Sequence, residues 1–352
     1  MCFKHFYFMQ FGIIGSGSWG TALAKMLTDN GNRINWCVRS PEILKYILKR
    51  QHNPNYLTSV AFDTKLLTLF TEPGELIANS DHIVIVTPSA YVALVFNRIT
   101  ARELAGKNII SAVKGMIPQH NLLLNEYLKN KYKFNIENYF TIMGPCHAEE
   151  VAAERLSYLT FSGVSPSTTK NIAANFNTPY INTIVNNDIY GVQYAAILKN
   201  IYAVASGIAH GRGYGDNFLS VLIANAADEM AGFLRKVGIG NIKVGVHKSV
   251  KLNERKSPNY AASVYLGDLL VTCYSPFSRN RTFGSMIGKG YSVASAQIEM
   301  KMVAEGYYAS RCIHIINKEV LAEMPIANAV YEILWKKLPV NRGLKTIEDC
   351  LV

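Results

Sequence analysis

The chain has 352 residues, 49% hydrophobic and 17% charged, with a formal net charge of +11. That length exceeds what one hydrophobic core usually supports and implies two domains, and the apolar content excludes a disordered chain. The basic residues form no tail, the six cysteines show no Cys-x-x-Cys pair or framework spacing, and no apolar run reaches the ~20 residues of a membrane span. A basic nucleic-acid arm, a disulfide scaffold and stable membrane insertion are therefore not expected.

The first ten residues are aromatic and carry a single cation, Lys4. They lack an apolar core segment and a small-residue cleavage site, so they read as an extended N-terminus ahead of the first strand and not as a signal peptide. With thiols expected to stay reduced, the location implied is cytoplasmic. An apolar run at 11–14 then feeds into glycines and into Thr21-Ala22-Leu23-Ala24-Lys25-Met26-Leu27, a strand, a tight turn and a helix. Further strands are predicted at 33–38, 82–86, 108–112 and 139–143, with β-like stretches at 157–162 and 181–185 completing a sheet. Strands alternating with helical segments imply βαβ units and a parallel sheet. From about Tyr190 the pattern changes: 192–209, 219–237, 293–317 and 327–337 carry helical spacing and no strand alternation. The organisation expected is an α/β, Rossmann-type dinucleotide-binding domain over 1–189 followed by an all-helical substrate-binding and catalytic domain over 190–352.

Gly15-Ser16-Gly17-Ser18-Trp19-Gly20 is a G-x-G-x-x-G string set between a predicted strand and a predicted helix, the context that gives it meaning. Gly15 permits the tight turn, Gly17 lets a pyrophosphate approach the backbone, and Gly20 lets helix and strand pack closely. The free N–H groups at the helix start then bind the anion. At the end of the second strand stands Arg39-Ser40, with no acid before Glu42. An acid there binds a ribose 2′-hydroxyl, whereas an arginine accepts a 2′-phosphate. Either NADPH or NADH fits the fingerprint, and Arg39 favours NADPH.

Beyond the glycines come Thr21-Ala22-Leu23-Ala24, Asn53-Pro54-Asn55-Tyr56-Leu57, Val86-Thr87-Pro88-Ser89, Val113-Lys114-Gly115 and Gly144-Pro145-Cys146-His147-Ala148. The helical half adds Leu198-Lys199-Asn200-Ile201, Leu266-Gly267-Asp268-Leu269, Thr272-Cys273, Ser278-Arg279-Asn280 and Ala304-Glu305-Gly306. In this order, from residue 11 to about 306, the chain resembles the bacterial NAD(P)-dependent glycerol-3-phosphate dehydrogenase family. The resemblance implies a 6-phosphogluconate-dehydrogenase-like helical domain, dihydroxyacetone phosphate and sn-glycerol 3-phosphate as substrate and product, a part in phospholipid synthesis, and a homodimer. It implies no metal.

The implied roles make physical sense. Lys199 is a lone charge in an apolar helix, where burial depresses a lysine pKa towards neutrality. Such a lysine can give a proton to a forming alkoxide, and the resemblance makes Lys199 the general acid of reduction and the general base of oxidation. Lys114, after the 108–112 strand, is implied to contact substrate and cofactor and to polarise the carbonyl. Asp268 is implied to hold either Lys199 or a substrate hydroxyl. Ser278, Arg279 and Asn280 form a polar group suited to phosphate, which arginine recognises with several donors. Gly144 and Cys146 are implied substrate contacts. Ser18, Trp19, Ala148, Arg279, Val303 and Glu305 are implied cofactor contacts.

Three places depart from the family pattern. Cys146-His147 replaces the usual Ser-Phe, exchanging a hydroxyl for a weaker thiol donor. Ala224-Asn225-Ala226 replaces the usual Thr-Arg-Gly. The stretch 233–262, with a basic cluster at 243–256 and the turn-prone Ser257-Pro258-Asn259, is longer than expected and reads as a lid, a dimer contact or a neutral insertion. Competing readings are a β-hydroxyacid dehydrogenase, disfavoured by the block at 267–280, and a dinucleotide-sensing regulator, disfavoured by retention of Lys199 and Asp268. A nucleic-acid binder rests only on net charge and lacks a recognition motif.

Overall fold

A computed structural model of the chain describes residues 9–239, 262–300 and 303–352. Most of the first ten residues, the basic cluster and Ser257-Pro258-Asn259 lie outside them. Eight strands form one sheet: β1 (Phe11–Ile14), β2 (Ile34–Cys37), β3 (Leu67–Phe70), β4 (His82–Ile85), β5 (Asn108–Ser111), β6 (Tyr139–Met143), β7 (Ser157–Gly163) and β8 (Ile181–Asn186). Their order is β3-β2-β1-β4-β5-β6-β7-β8, whose first six positions are the doubly wound dinucleotide-binding order. Phe11 pairs with Ile34 on one side and His82 on the other, so the sheet reverses its winding at β1 and opens a crevice beyond the strand ends there.

β1, β2 and β4 are buried along their whole length, as strands covered by helices on both faces must be. Alternation distributes their side chains between two cores. Ile13, Trp36, Val84 and Ile110 pack with Leu23 and Met26 on one face, and Ile14, Ile83, Ile85 and Ile109 with Phe96 and Leu128 on the other.

The sheet is not wholly parallel. β7 runs antiparallel to β6, with Ile142 opposite Phe161, and β8 follows β7 in parallel. β3 falls in a stretch where the sequence predicts no strand. Only Leu67 of its four residues is buried, so it is an edge strand without the fully buried run of β1 and β4.

The helical half begins with Ile189–Gly211, a helix buried along nearly its whole length and the axis of a third core. Asp188 caps it by accepting from the Gly191 N–H at 2.8 Å. Asp216–Lys236, Asp268–Tyr274, Arg279–Gly288, Glu305–Val320 and Pro325–Trp335 pack against it, with Val293–Glu299 against Arg279–Gly288 and Val340–Cys350 against Pro325–Trp335. The helix expected over 293–317 is two helices, broken where Met300 and Ala304 adopt extended conformations.

Arg279–Gly288 crosses the long helix at very close range. A Cβ on Gly207 would strike the Arg281 carbonyl oxygen, and one on Gly284 would strike that of Val204. Gly211 and Gly288 meet the opposing backbone in the same way. Four glycines therefore set the depth at which the helix start at Arg279 sits beside Lys199. Across the domains, the Tyr139 hydroxyl donates to Gln193 Oε1 at 2.8 Å, tying β6 to the first turn of the long helix. Among the described residues, no helix is long and apolar enough to cross a membrane.

Candidate active site

The fingerprint turn is built as its spacing requires. Gly15 has φ +129°, in the region that favours glycine, and its carbonyl accepts from Trp36 Nε1 at 3.0 Å. A Cβ on Gly20 would collide with the Gly15 carbonyl oxygen, whereas the position above Gly17 is open. Asn53 fixes the turn from outside: its Nδ2 donates to Ser16 O at 3.0 Å and Thr21 Oγ1 at 2.9 Å. Its Oδ1 accepts from the Asn55 and Tyr56 N–H groups.

The helix Ser18–Asp29 starts at Gly17, beside a groove of about 1220 Å³ lined by Gly15, Gly17, Arg39, Asn55, Tyr56 and Thr87 among others. The open space over Gly17, the helix N-terminus beside it and the length of the groove fit a dinucleotide. Arg39 is exposed at the end of β2, and among the described residues it is the groove's cation and no carboxylate lines the groove.

Val86, Thr87 and Pro88 line both this groove and a second cleft of about 920 Å³ between the domains, so the two are continuous. The cleft gathers Ser18, Trp19, Lys114, Cys146, Ala148, Lys199, Asp268, Ser278, Arg279, Asn280 and Glu305, drawn from both halves of the chain. At its floor Lys199 Nζ donates to Asp268 Oδ1. Lys199 is 4% exposed and Asp268 1%, so this ion pair is effectively out of water. Burial pulls the Lys199 pKa down to about 8, with Asp268 opposing and the Lys114 cation assisting. Asp268 Oδ2 has no protein partner. Lys199 stands in the middle of the long helix, because that helix begins three residues before the expected start.

Lys114 follows β5. Its Nζ donates to Gly144 O at 3.3 Å and lies 5.2 Å from the Trp19 ring centroid, a cation–π contact that joins it to the fingerprint turn. Gly144 has φ +119° and thus contributes a carbonyl to Lys114. Burial pushes the Cys146 thiol up to about 12, which leaves it protonated and a poor nucleophile. Among the described residues, no group of three His, Cys, Asp or Glu side chains is placed to hold a metal ion.

Ser278 caps Arg279–Gly288 by accepting from the Arg281 N–H at 3.3 Å, so the helix N-terminus and the Arg279 side chain both border the cleft. Asn280 is committed at both ends and does not offer phosphate a free amide. Its Nδ2 donates to Asn200 Oδ1 at 2.8 Å, and its Oδ1 accepts from Gly306 N at 2.9 Å. Asn200 Nδ2 continues the chain to Lys114 O at 2.8 Å. Asn200 carries no charge and makes its bonds 86 and 80 residues away, so only its place beside Lys199 marked it in the sequence.

Of the expected cofactor contacts, Glu305 borders the cleft with its carboxylate already bonded, and Val303 lies elsewhere. Glu305 lines the cleft, but its carboxylate is engaged across the domains by Ser89, through the N–H at 2.9 Å and Oγ at 2.5 Å. Burial raises the Glu305 pKa and these two bonds oppose it. Val303 lies outside both cavities and lines a separate aromatic recess with Tyr91, Phe283 and Tyr307. Asn225 is remote from the cleft. It is half-buried, and its side chain holds the backbone of the last residue, donating to Val352 O at 3.1 Å and accepting from Val352 N at 3.2 Å. His147, Asn200 and Thr87 line the cleft and were not among the expected site residues.

A dinucleotide groove opening onto a buried lysine–carboxylate pair beneath an arginine-bearing helix start defines a two-domain, nicotinamide-dependent oxidoreductase acting on a small anionic carbonyl compound. The sequence patterns of the NAD-dependent glycerol-3-phosphate dehydrogenase N-terminus and C-terminus match residues 10–168 and 188–345. A glycerol-3-phosphate dehydrogenase (NAD(P)+) of Chlorobium limicola is 32% identical over 338 residues, 96% of each chain. One from Halalkalibacterium halodurans is 33% identical over 326 residues, 92% of this chain and 89% of that one. The solved glycerol-3-phosphate dehydrogenase of Coxiella burnetii superposes with a TM-score of 0.85 at 25% identity, covering 97% of this chain and 99% of that one. The chain belongs to the NAD-dependent glycerol-3-phosphate dehydrogenase family. A D-mandelate dehydrogenase, at 14% identity and a TM-score of 0.57, shares the fold alone.

Proposed function

We propose that the protein reduces dihydroxyacetone phosphate reversibly to sn-glycerol 3-phosphate with NADPH or NADH, supplying the backbone of glycerophospholipids from the cytoplasm. The observation that carries this reading is the buried Lys199–Asp268 pair at the floor of a cleft continuous with the dinucleotide groove. The reduced nicotinamide, when bound, supplies the hydride to the ketone carbon. Gly15, Gly17, Ser18, Trp19 and Gly20 hold the pyrophosphate end, Arg39 the 2′-phosphate, and Ala148 and Glu305 flank the cofactor where groove and cleft meet.

The substrate phosphate is held by Arg279 and the N-terminus of its helix, with Ser278 capping that helix and Asn280 bracing it. The ketone oxygen faces Lys199. With its pKa near 8 the lysine is mostly protonated at neutral pH, yet gives up its proton more readily than an exposed one. Proton transfer from Nζ to the developing alkoxide breaks the N–H bond as the alcohol forms, and Asp268 loses its cationic partner. Lys114, with Gly144 and Cys146 beside it, supplies positive charge on the other side of the carbonyl. The division between the dinucleotide and substrate domains falls at about residues 188–190, where Asp188 caps the long helix, and the assembly is a homodimer, which light scattering checks.

The test is consumption of NADPH and of NADH by the purified chain with dihydroxyacetone phosphate. Turnover with either is expected. A protein that binds dinucleotide yet turns over with neither refutes the reading.

A further inference from the structure

Three buried polar atoms of the cleft wall have no hydrogen-bond partner among the described residues: Trp19 Nε1, Asp268 Oδ2 and His147 Nε2. Trp19 belongs to the fingerprint turn and lies against Lys114. Asp268 is already engaged by Lys199 through its other oxygen. His147 has no ionic partner. It stands at the turn between β6 and the short helix Ala148–Ala152, half-buried, with its ring 6.4 Å from that of Phe277. The ring also lies against the backbone of Val271 on the helix that carries Asp268, so its place is fixed from both sides. Burial, with the Lys199 and Lys114 cations next in weight, holds its pKa down at about 4, so the imidazole is neutral at physiological pH.

The substrate in the reading above, on which this inference rests, has three polar groups. The phosphate dianion is drawn to Arg279 and the helix start beside it, and a neutral ring adds no Coulomb attraction there. The ketone oxygen is met by Lys199. The primary hydroxyl remains, and a neutral imidazole suits it in either tautomer: a bare Nε2 accepts the hydroxyl proton, and an Nε2–H donates to the hydroxyl oxygen. We infer that His147 is a specificity-determining residue, hydrogen-bonding the hydroxyl at the non-phosphorylated end of the substrate. It distinguishes a hydroxylated ketone phosphate from one that ends in methyl, since a site built around such a bond leaves a buried polar atom unpaired with the deoxy compound.

The experiment crosses a change in the protein with a change in the substrate. His147→Phe keeps a flat ring and removes the nitrogens, and His147→Gln keeps a hydrogen-bonding group. Each is assayed with dihydroxyacetone phosphate and with hydroxyacetone phosphate, which lacks the hydroxyl. H147F is expected to lower kcat/KM for dihydroxyacetone phosphate about tenfold, the value of one hydrogen bond, mainly through KM. Its kcat/KM for hydroxyacetone phosphate is expected to stay within about twofold of wild type, and H147Q to recover most of the loss. Equal losses on both substrates, or none on either, overturn the assignment while leaving the reaction standing. A wild-type protein inactive on dihydroxyacetone phosphate overturns both.

Discussion

Asp268→Asn tests the physical heart of the site. In the wild type, burial and the Lys114 cation push the Lys199 pKa down while Asp268 holds it up, with a balance near 8. An amide preserves the shape and removes only the opposing charge, so the pKa must fall further. A unit charge pair at about 4 Å and an effective dielectric of about 20 is worth about 4 kcal/mol, or about 3 pKa units at most. A drop of about 2–3 units leaves about 1–10% of the lysine protonated at neutral pH, against about 90% in the wild type. Ketone reduction at neutral pH should therefore fall about 10- to 100-fold, and kcat should recover as the pH is lowered. The assay is kcat for reduction at saturating cofactor across about pH 5–9, followed by nicotinamide absorbance. The wild-type rate should decline above about pH 8, and the D268N decline should begin about 2–3 units lower. A D268N profile with the wild-type midpoint and only a smaller amplitude would refute the argument, because the titrating group would then not be a lysine that Asp268 faces.

Arg39→Ala should raise the KM for NADPH about 5- to 30-fold and leave that for NADH within about twofold, since only the former has a 2′-phosphate to lose. Equal changes would remove Arg39 from cofactor selection. Gly284→Ala puts a methyl group into the Val204 carbonyl, with backbone on both sides unable to yield, and should cost about 1–3 kcal/mol in urea unfolding. An unchanged midpoint would mean that the two helices are not held at contact. Glu229 is a buried carboxyl that accepts from the Ile326 and Ala327 N–H groups, and burial raises its pKa to about 7. The folded state thus binds that proton more tightly than the unfolded chain. The resulting stability is complete below about pH 4.5 and is lost as pH rises through about 7, up to about 3 kcal/mol. Glu229→Gln should flatten stability over that window, and an unaltered slope between its ends would refute the assignment.

The inner strands β1, β2, β4, β5 and β6 were visible because strands buried on both faces need a nearly unbroken apolar run, and the edge strand β8, with only Ile181 buried, was visible through Ile181, Ile184 and Val185. β3 was hidden because an edge strand with one buried residue needs no such run. The reversal of β7 was hidden because alternation reports which face a side chain occupies and says nothing of strand direction. The helix Arg279–Gly288 shows the opposite effect. Gly284 and Gly288 argue locally against a helix, and they are there because the backbone of the long helix leaves no room for a Cβ. At the site, the charged residues and the fingerprint were legible from residue type and spacing. The neutral braces were not. Asn280 was legible as a site residue but not as a brace, and Asn200 and the Ser89–Glu305 contact were not legible at all: these bonds span 80 to 216 residues, and nothing in the local sequence distinguishes an asparagine that spans two domains from one at the surface.

The adjacency of Lys199 and Asn200 explains how two separately folded halves keep one reaction geometry. Consecutive residues of a helix point about 100° apart, so neighbouring side chains address different partners. Lys199 turns to Asp268, and Asn200 turns to the Lys114 carbonyl at the end of β5 and to Asn280 at the start of the phosphate-facing helix. The proposed proton donor is thereby placed one residue away from a bond that grips the dinucleotide domain and another that grips the helix proposed to hold phosphate. Any slip of the long helix along its axis would break both bonds before it moved Lys199 far, because the amide of Asn200 has its donor and its acceptor both in use. Positioning of Lys199 thus falls to a neutral neighbour. That leaves the Lys199 ammonium free of the positioning bonds, with its charge set by burial, Asp268 and Lys114.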